Sequence, residues 1–423
     1  MSTPRIPALV FANTSPGFRP PGTDRYRTLA LTRRAPSPDG AAMSTPRDRN
    51  LAIDALRGAV MVLMALDHAR DFYADGFRTE PTNLATTTAA LFATRWITHF
   101  CAPVFVFLAG TAAFLYRAKN GPAAGSRFLL TRGLWLVLLE LTAMRLGWTP
   151  DPFYRFTLLQ VIWAIGWSMV ALSALSRLPL GAVAGVGAAI VAGHNLLDSV
   201  TPADLGRLGW LWKIAHEGGA LEPLRDHRLY AAYPVLPWIG VIALGYAFGA
   251  WMRLPLELRR PRTLRLGLAL TAAFVLLRAL NRYGDPVPWS SQPRGALFTA
   301  MSFLNCDKYP PSLLYALMTL GPALCALAGL DGAKPGRAMR ALTVYGSVPL
   351  LYYFAHLVLM RWTGLAISFA RFGSEVISSR GRTGLGLGAA YLGWIIVVVG
   401  LYPLCRWFAG VKARRRDWWL SYL

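Results

Sequence analysis

Hydrophobic positions in this chain come in long uninterrupted blocks, not in the alternation of a strand or the one-faced stripe of a soluble helix. The blocks lie near residues 51–68, 92–116, 128–147, 156–176, 178–197, 234–252, 263–280, 310–329, 342–361 and 384–408. Apolar runs of roughly 18 or more residues are long enough to cross about 30 Å of hydrocarbon as helices. The pattern therefore predicts an all-α polytopic membrane helix bundle of about ten transmembrane helices, occupying residues 49–410. Residues 1–48 are different material, rich in Pro, Arg, Ser and Thr and without helical or strand period, and predict a disordered tail. The pentapeptide MSTPR occurs at 1–5 and again at 43–47, which makes Met43 an alternative start. Residues 411–423 form a short basic tail.

Composition agrees with a lipid environment: 54% of residues are hydrophobic, only 15% are charged, and the mean hydropathy is +0.38. The net charge of +23 would suit a nucleic-acid partner, but its distribution argues against one. The basic residues concentrate in short connections, among them Arg117, Lys119, Arg127 and Arg132, then Arg253, Arg259, Arg260 and Arg262, then Lys412 and Arg414. Lys and Arg in short loops mark the cytosolic face. Both termini are expected there, in a multi-pass protein of the inner membrane with the lipid bilayer as partner. The four cysteines have neither paired nor metal-like spacing.

The first block, LAIDALRGAVMVLMALDHARDF, carries charge at both ends. A charged side chain at the bilayer centre costs about 2.5–3.5 kcal/mol even on lenient scales. At about 1.5 Å per residue, Asp54 and His68 stand roughly 21 Å apart, and the fourteen-residue step returns to within about 40° of the same face. Asp54 and Arg57 are spaced to pair at the cytosolic mouth, and His68 and Asp71 at the outer mouth, with Asp67 beside them. One helix would thus present polar groups to both ends of an internal passage.

All six histidines fall in the outer half of a span or in an outer loop. His68, His99 and His356 sit at similar depth on three different spans. Histidine titrates nearest neutral pH and serves as general base or as acyl-accepting nucleophile. On the same side, residues 281–312 combine flat aromatic faces with hydrogen-bonding groups. Trp289, Asn305, Asp307, Lys308 and Tyr309, with His356, are candidates for holding a sugar, although an aromatic belt also collects Trp and Tyr at the interface. On the inner side Asp54, Arg57, Arg127 and Arg132 are candidates for binding a nucleotide cofactor, the arginines through its phosphates. No phosphate-cradling Gly-rich loop, zinc-protease motif or nucleophile elbow accompanies them.

Several segments in order, among them IDALRGAVMVLMALDHARDF, WITHFCAPVFVFLAG, LQVIWAIGWSM, YPVLPWIGVIALGYAFG, SFLNCDKYPPSLLYALMTLGPAL and GSVPLLYYFAHLVL, resemble the catalytic-domain family of heparan-alpha-glucosaminide N-acetyltransferase. The resemblance implies a membrane acyltransferase that takes acetyl from cytosolic acetyl-CoA and delivers it to a sugar amine or hydroxyl across the membrane. In the family the catalytic histidine follows an asparagine by about a dozen residues. Here Asp67 matches that asparagine, and the loop Asp71–Thr88 contains no histidine. His68 is therefore the first candidate, oriented by Asp67 or Asp71, and His99 the second. Covalent acetyl-histidine and direct transfer both remain open, as does a homodimer. A proton-coupled transporter using the same His and Asp residues as a relay is the competing class.

Overall fold

The computed structural model describes residues 50–74, 80–149, 151, 153–221, 226–373, 383–415 and 417–421, so the expected tail at 1–48 lies outside the described residues. The chain is 74% helical with little sheet. Its helices are α1 (Leu51–Tyr73), α2 (Ala89–Thr98), α3 (Cys101–Asn120), α4 (Pro122–Leu141), α5 (Arg145–Trp148), α6 (Val161–Leu175) and α7 (Leu180–Gly193). They continue as α8 (Gly209–Trp212), α9 (Val235–Phe248), α10 (Leu256–Leu280), α11 (Ala296–Leu304) and α12 (Leu313–Leu330), then α13 (Arg337–Ser347), α14 (Pro349–Phe372) and α15 (Leu387–Arg414). Among the described residues seven helical segments are long and apolar enough to cross a membrane. Charged α1 and the shorter α6 are not among the seven. The chain is a multi-pass membrane protein.

Helix α1 is the hub, packing against α2, α3, α12, α13, α14 and α15. Its N-cap is Asn50, whose Oδ1 accepts from the backbone N–H groups of Ala52 and Ile53. Contact with α13 is backbone-close. A Cβ on Gly58 would fall 1.8 Å from the Leu342 carbonyl oxygen, and one on Gly346 would fall 1.9 Å from that of Asp54. Small residues at such crossings let membrane helices approach in the absence of a water-driven hydrophobic force. Large apolar side chains on α10 and α15, such as Leu276, Leu280, Ile396 and Val399, face outward. In a bilayer that surface meets lipid and needs no protein cover.

The predicted span 128–147 breaks at Thr142 between α4 and α5, and three further departures from the hydropathy pattern each have a local reason. The predicted span 342–361 is two helices, because Pro349 disfavours the helical region for Val348, which adopts φ −130° and ψ 49° between α13 and α14. The predicted span 92–116 breaks after Thr98 into α2 and α3. Pro103 has no N–H to give the His99 carbonyl, and that oxygen accepts from the Tyr315 hydroxyl at 2.7 Å instead. The predicted span 156–176 begins as strand β1 (Phe156–Leu159), which pairs in parallel with β3 (Arg228–Ala231), while β2 (Gly219–Ala220) completes a small sheet in the order β1-β3-β2. The all-α expectation is corrected to that extent. Helix α6 then starts at Val161, and the buried Glu140 carboxylate of α4 accepts from the Trp163 N–H in its first turn.

Candidate functional site

A cavity of about 610 Å³ runs along α1. At one end it is lined by Arg57, Arg132 and Lys412 with Tyr116, Phe128 and Ser347. At the other it is lined by Asp67, His68, Arg70, Asp71 and Arg95 with Tyr233, Lys308 and Tyr309. Apolar side chains of α3, α4 and α6, such as Phe105, Leu136 and Ile165, form the wall between. A second cavity of about 370 Å³ shares Arg70, Arg95, Lys308 and Tyr309 with the first and adds Glu80, His99, Asn305 and Asp307.

Successive residues of α1 face different neighbours, as a 100° step per residue requires. Asp67 turns to α2. Its carboxylate accepts from Arg95 at 2.7 and 3.0 Å and from the Thr98 hydroxyl at 2.9 Å, and it pairs with Arg70 at 2.8 Å. His68 turns to α14, where its Nδ1 lies 2.8 Å from His356 Nε2, the two rings stacked with 5.0 Å between centroids. Trp148 and Tyr353 meet the His68 ring edge to face. Asp71 bonds Arg70 at 2.6 Å.

These contacts correct the expected pairing of His68 with Asp71. Both carboxylates are taken by arginines, whose charge-assisted bonds outcompete a neutral ring. The histidine's partner is instead His356, which is fully buried, lines neither cavity and is no wall for a sugar. His356 Nδ1 lies 2.6 Å from the Tyr352 carbonyl oxygen, an acceptor only. Nδ1 is therefore the N–H of His356, its Nε2 is the lone-pair nitrogen, and His68 Nδ1 must donate to it. The relay leaves Nε2 of His68 as the basic nitrogen beside the cavity.

The remaining candidates divide. His99 lines only the second cavity, and its Nδ1 is buried without a hydrogen bond. Lys308 is 6% exposed and lines both cavities, its ammonium 5.1 Å from the Tyr309 ring centroid and 5.7 Å from that of Tyr233. Burial pushes the Tyr309 phenol up, but Lys308 and Arg95 more than offset it and hold it below its ordinary value. Burial raises the Asp307 carboxyl to about 6. Asn305 donates to the Thr82 carbonyl at 3.0 Å. Trp289 lines neither cavity; its indole N–H bonds the Arg278 carbonyl, and its backbone N–H bonds Asn281 Oδ1. Buried Arg278 gathers the carbonyls of Val287, Ser302, Phe303 and Asn305, so much of the polarity of residues 281–305 folds the loop itself.

On the opposite end Asp54 and Arg57 pair at 3.0 Å, as the i, i+3 spacing predicted, and Arg57 also donates to the Gly346 carbonyl. Arg132 lines the cavity, its guanidinium 5.8 Å from the Phe128 ring centroid. Arg127 is exposed and lines neither cavity, and Asp54 also lies outside the lining. Sequence reasoning did not single out Arg70, Arg95, Tyr233 or Lys412 as site residues. Arg95 carried the clearest signal, an arginine inside an otherwise apolar run.

The family described as "Heparan-alpha-glucosaminide N-acetyltransferase, catalytic" matches residues 49–280, more than half of the chain. The chain belongs to this family. Membership makes it an acetyltransferase of the membrane-embedded kind, and family-matched helices α1–α4 and α6 supply most of the cavity wall. Lys308, Tyr309, Tyr353 and Lys412 line the same cavity from beyond the matched range. Among curated proteins no relative matches the chain.

Proposed function

We propose that this protein takes acetyl from acetyl-CoA at the cytosolic end of the cavity and transfers it to an amine or hydroxyl of a sugar at the extracytoplasmic end. The observation that carries the reading is one cavity with cations at one end and, at the other, Lys308, Tyr309 and a His68 backed by His356 outside the lining. Arg57, Arg132 and Lys412 offer charge-assisted bonds to the phosphates of acetyl-CoA, and the stacked Tyr116 and Phe128 rings, 4.1 Å between centroids, offer a flat apolar face. The acyl arm would then extend along α1 to His68. The acceptor would come through the second cavity, past Asn305, Asp307, Lys308 and Tyr309.

His68 Nε2 serves in either of two ways. It takes the proton from the acceptor as that group attacks the thioester carbonyl, expelling CoA thiolate; or it attacks the carbonyl itself, expels the thiolate and passes acetyl to the acceptor. In both, His356 holds Nδ1–H and supports the positive ring that forms. This topology has about ten spans, with both termini in the cytosol and the protein in the inner membrane. The deciding experiment mixes purified protein with acetyl-CoA labelled in the acetyl group and with glucosamine-terminated oligosaccharides. Labelled product that requires His68 supports the reading. Absence of acetyl-CoA binding by folded protein would favour the proton-coupled transporter instead.

A further inference from the structure

Away from the cavity, His194, Asp198 and His216 converge at the end of α7. His194 follows that helix, Asp198 lies one turn on, and His216 sits in the π-helical turn Lys213–Glu217. One ligand atom from each lies within 4.8 Å of the other two. His194 Nδ1 is 3.3 Å from His216 Nε2, and that nitrogen is 3.7 Å from Asp198 Oδ1. Two ligand atoms at 2.0–2.1 Å from a tetrahedral zinc stand roughly 3.3–3.5 Å apart, so these separations already approach a coordination sphere.

We propose that His194, Asp198 and His216 bind one divalent transition-metal cation of the zinc class. Both imidazoles are 2% exposed, whereas Asp198 is open to solvent and gives the ion a way in and a free fourth position. Two nitrogens and one carboxylate oxygen select zinc, cobalt or nickel over calcium or magnesium, which want oxygen ligands. The surrounding groups hold the ligands in place. Asn195 Nδ2 donates to the other Asp198 oxygen at 2.9 Å, and Trp212 stacks on His216 with 4.8 Å between centroids. Without metal, His216 Nε2 can donate to the His194 carbonyl at 3.0 Å, so the ion displaces a proton from that nitrogen.

The site ties residues 198–217 to α7. Glu217 and Gly218, next to His216, line the larger cavity, and Asn195 Oδ1 accepts from the Leu313 N–H at the start of α12. A bound cation thus fixes one wall of the cavity from outside it.

The test uses tag-free full-length protein in detergent, stripped with chelator and dialysed. Cobalt(II) should bind with a stoichiometry of one and give the visible absorption of a tetrahedral site. Zinc should displace it and raise the melting temperature by several degrees. Exposed Asp198→Asn should weaken zinc more than about 10-fold, His216→Gln should abolish the cobalt band, and Asp204→Asn should change neither. No cobalt band and no zinc-dependent melting shift in the wild type would overturn the proposal. So would unchanged binding in both Asp198→Asn and His216→Gln. These readouts involve no acetyl transfer and stand apart from the catalytic reading.

Discussion

His68 donates through Nδ1 to His356 Nε2 across 2.8 Å, and the Tyr352 carbonyl behind His356 sets the direction of that bond. Removing the base, His68→Ala, should lower the transfer rate about 10²–10⁴-fold while acetyl-CoA affinity stays near wild type. His356→Ala should also lower kcat, by a smaller factor, because His68 then loses its tautomer restraint. His99→Ala should be nearly neutral. Single-turnover rates with labelled acetyl-CoA check the order, and an active His68→Ala would remove histidine from the mechanism.

Asp67 is the electrostatic anchor of α2, not the partner of His68. Asp67→Ala takes the carboxylate from buried Arg70 and from Arg95, whose side chain is 12% exposed, and should destabilise the fold by about 3–5 kcal/mol. Exchanging both partners, Asp67→Ala with Arg95→Met, should recover part of that loss. Thermal melting in detergent measures the coupling.

At the other end of the cavity, Arg132→Ala and Lys412→Ala should each weaken acetyl-CoA binding, by about 1.5–3 kcal/mol for a lost charge-assisted phosphate contact. Exposed Arg127→Ala should leave it unchanged. Calorimetry on the three variants distinguishes a phosphate site from a generally basic surface.

The Asp307 carboxyl has its ordinary value near 3.8 raised to about 6 by burial. Folded protein therefore holds this proton more tightly than the unfolded chain does. The stability this contributes is fully present below pH 3.8 and is lost as pH rises through about 6. Asp307→Asn keeps an oxygen for the Tyr309 N–H and cannot ionise. Its melting temperature relative to wild type should rise between pH 4 and pH 7.

Orientation is checked with a membrane-impermeant thiol reagent. A cysteine introduced at Ser290 should be labelled from outside the cell, and one at Arg260 should not. The opposite pattern would invert the cavity and with it the assignment of donor and acceptor ends.

The apolar blocks made the bundle legible, since length and hydropathy alone decide whether a helix can cross a bilayer. Both charged ends of α1 were legible too, because 3.6 residues per turn places Asp54, Arg57, Asp67 and His68 without knowledge of any neighbour. What each would touch was not. His68 lies 288 residues from His356, and Asp67 lies 28 from Arg95; nothing in local spacing favours those pairs over His68 with Asp71. Trp289 misled for a related reason. A loop that folds on its own polar groups has the same composition as one that holds a sugar. Pro103 and Pro349 did mark the helix breaks, but hydropathy averaging over a window conceals them.

If acetyl transfer runs across the membrane through the cavity beside α1, as proposed, that cavity is also a potential leak in an insulator. Arg70, Arg95 and Lys308 against Asp67, Asp71 and Glu217 leave the polar lining balanced when all six are ionised. Moving one elementary charge across the membrane potential is worth about 2.3 kcal/mol per 100 mV, so a resting cell pulls protons inward through any open route. Guanidinium groups fixed in the lining, as Arg70 and Arg95 are, oppose that traffic in the way an arginine does in water-selective pores. On the proposed function, Arg70, Arg95 and Lys308 would serve both to meet an acceptor and to resist a proton leak.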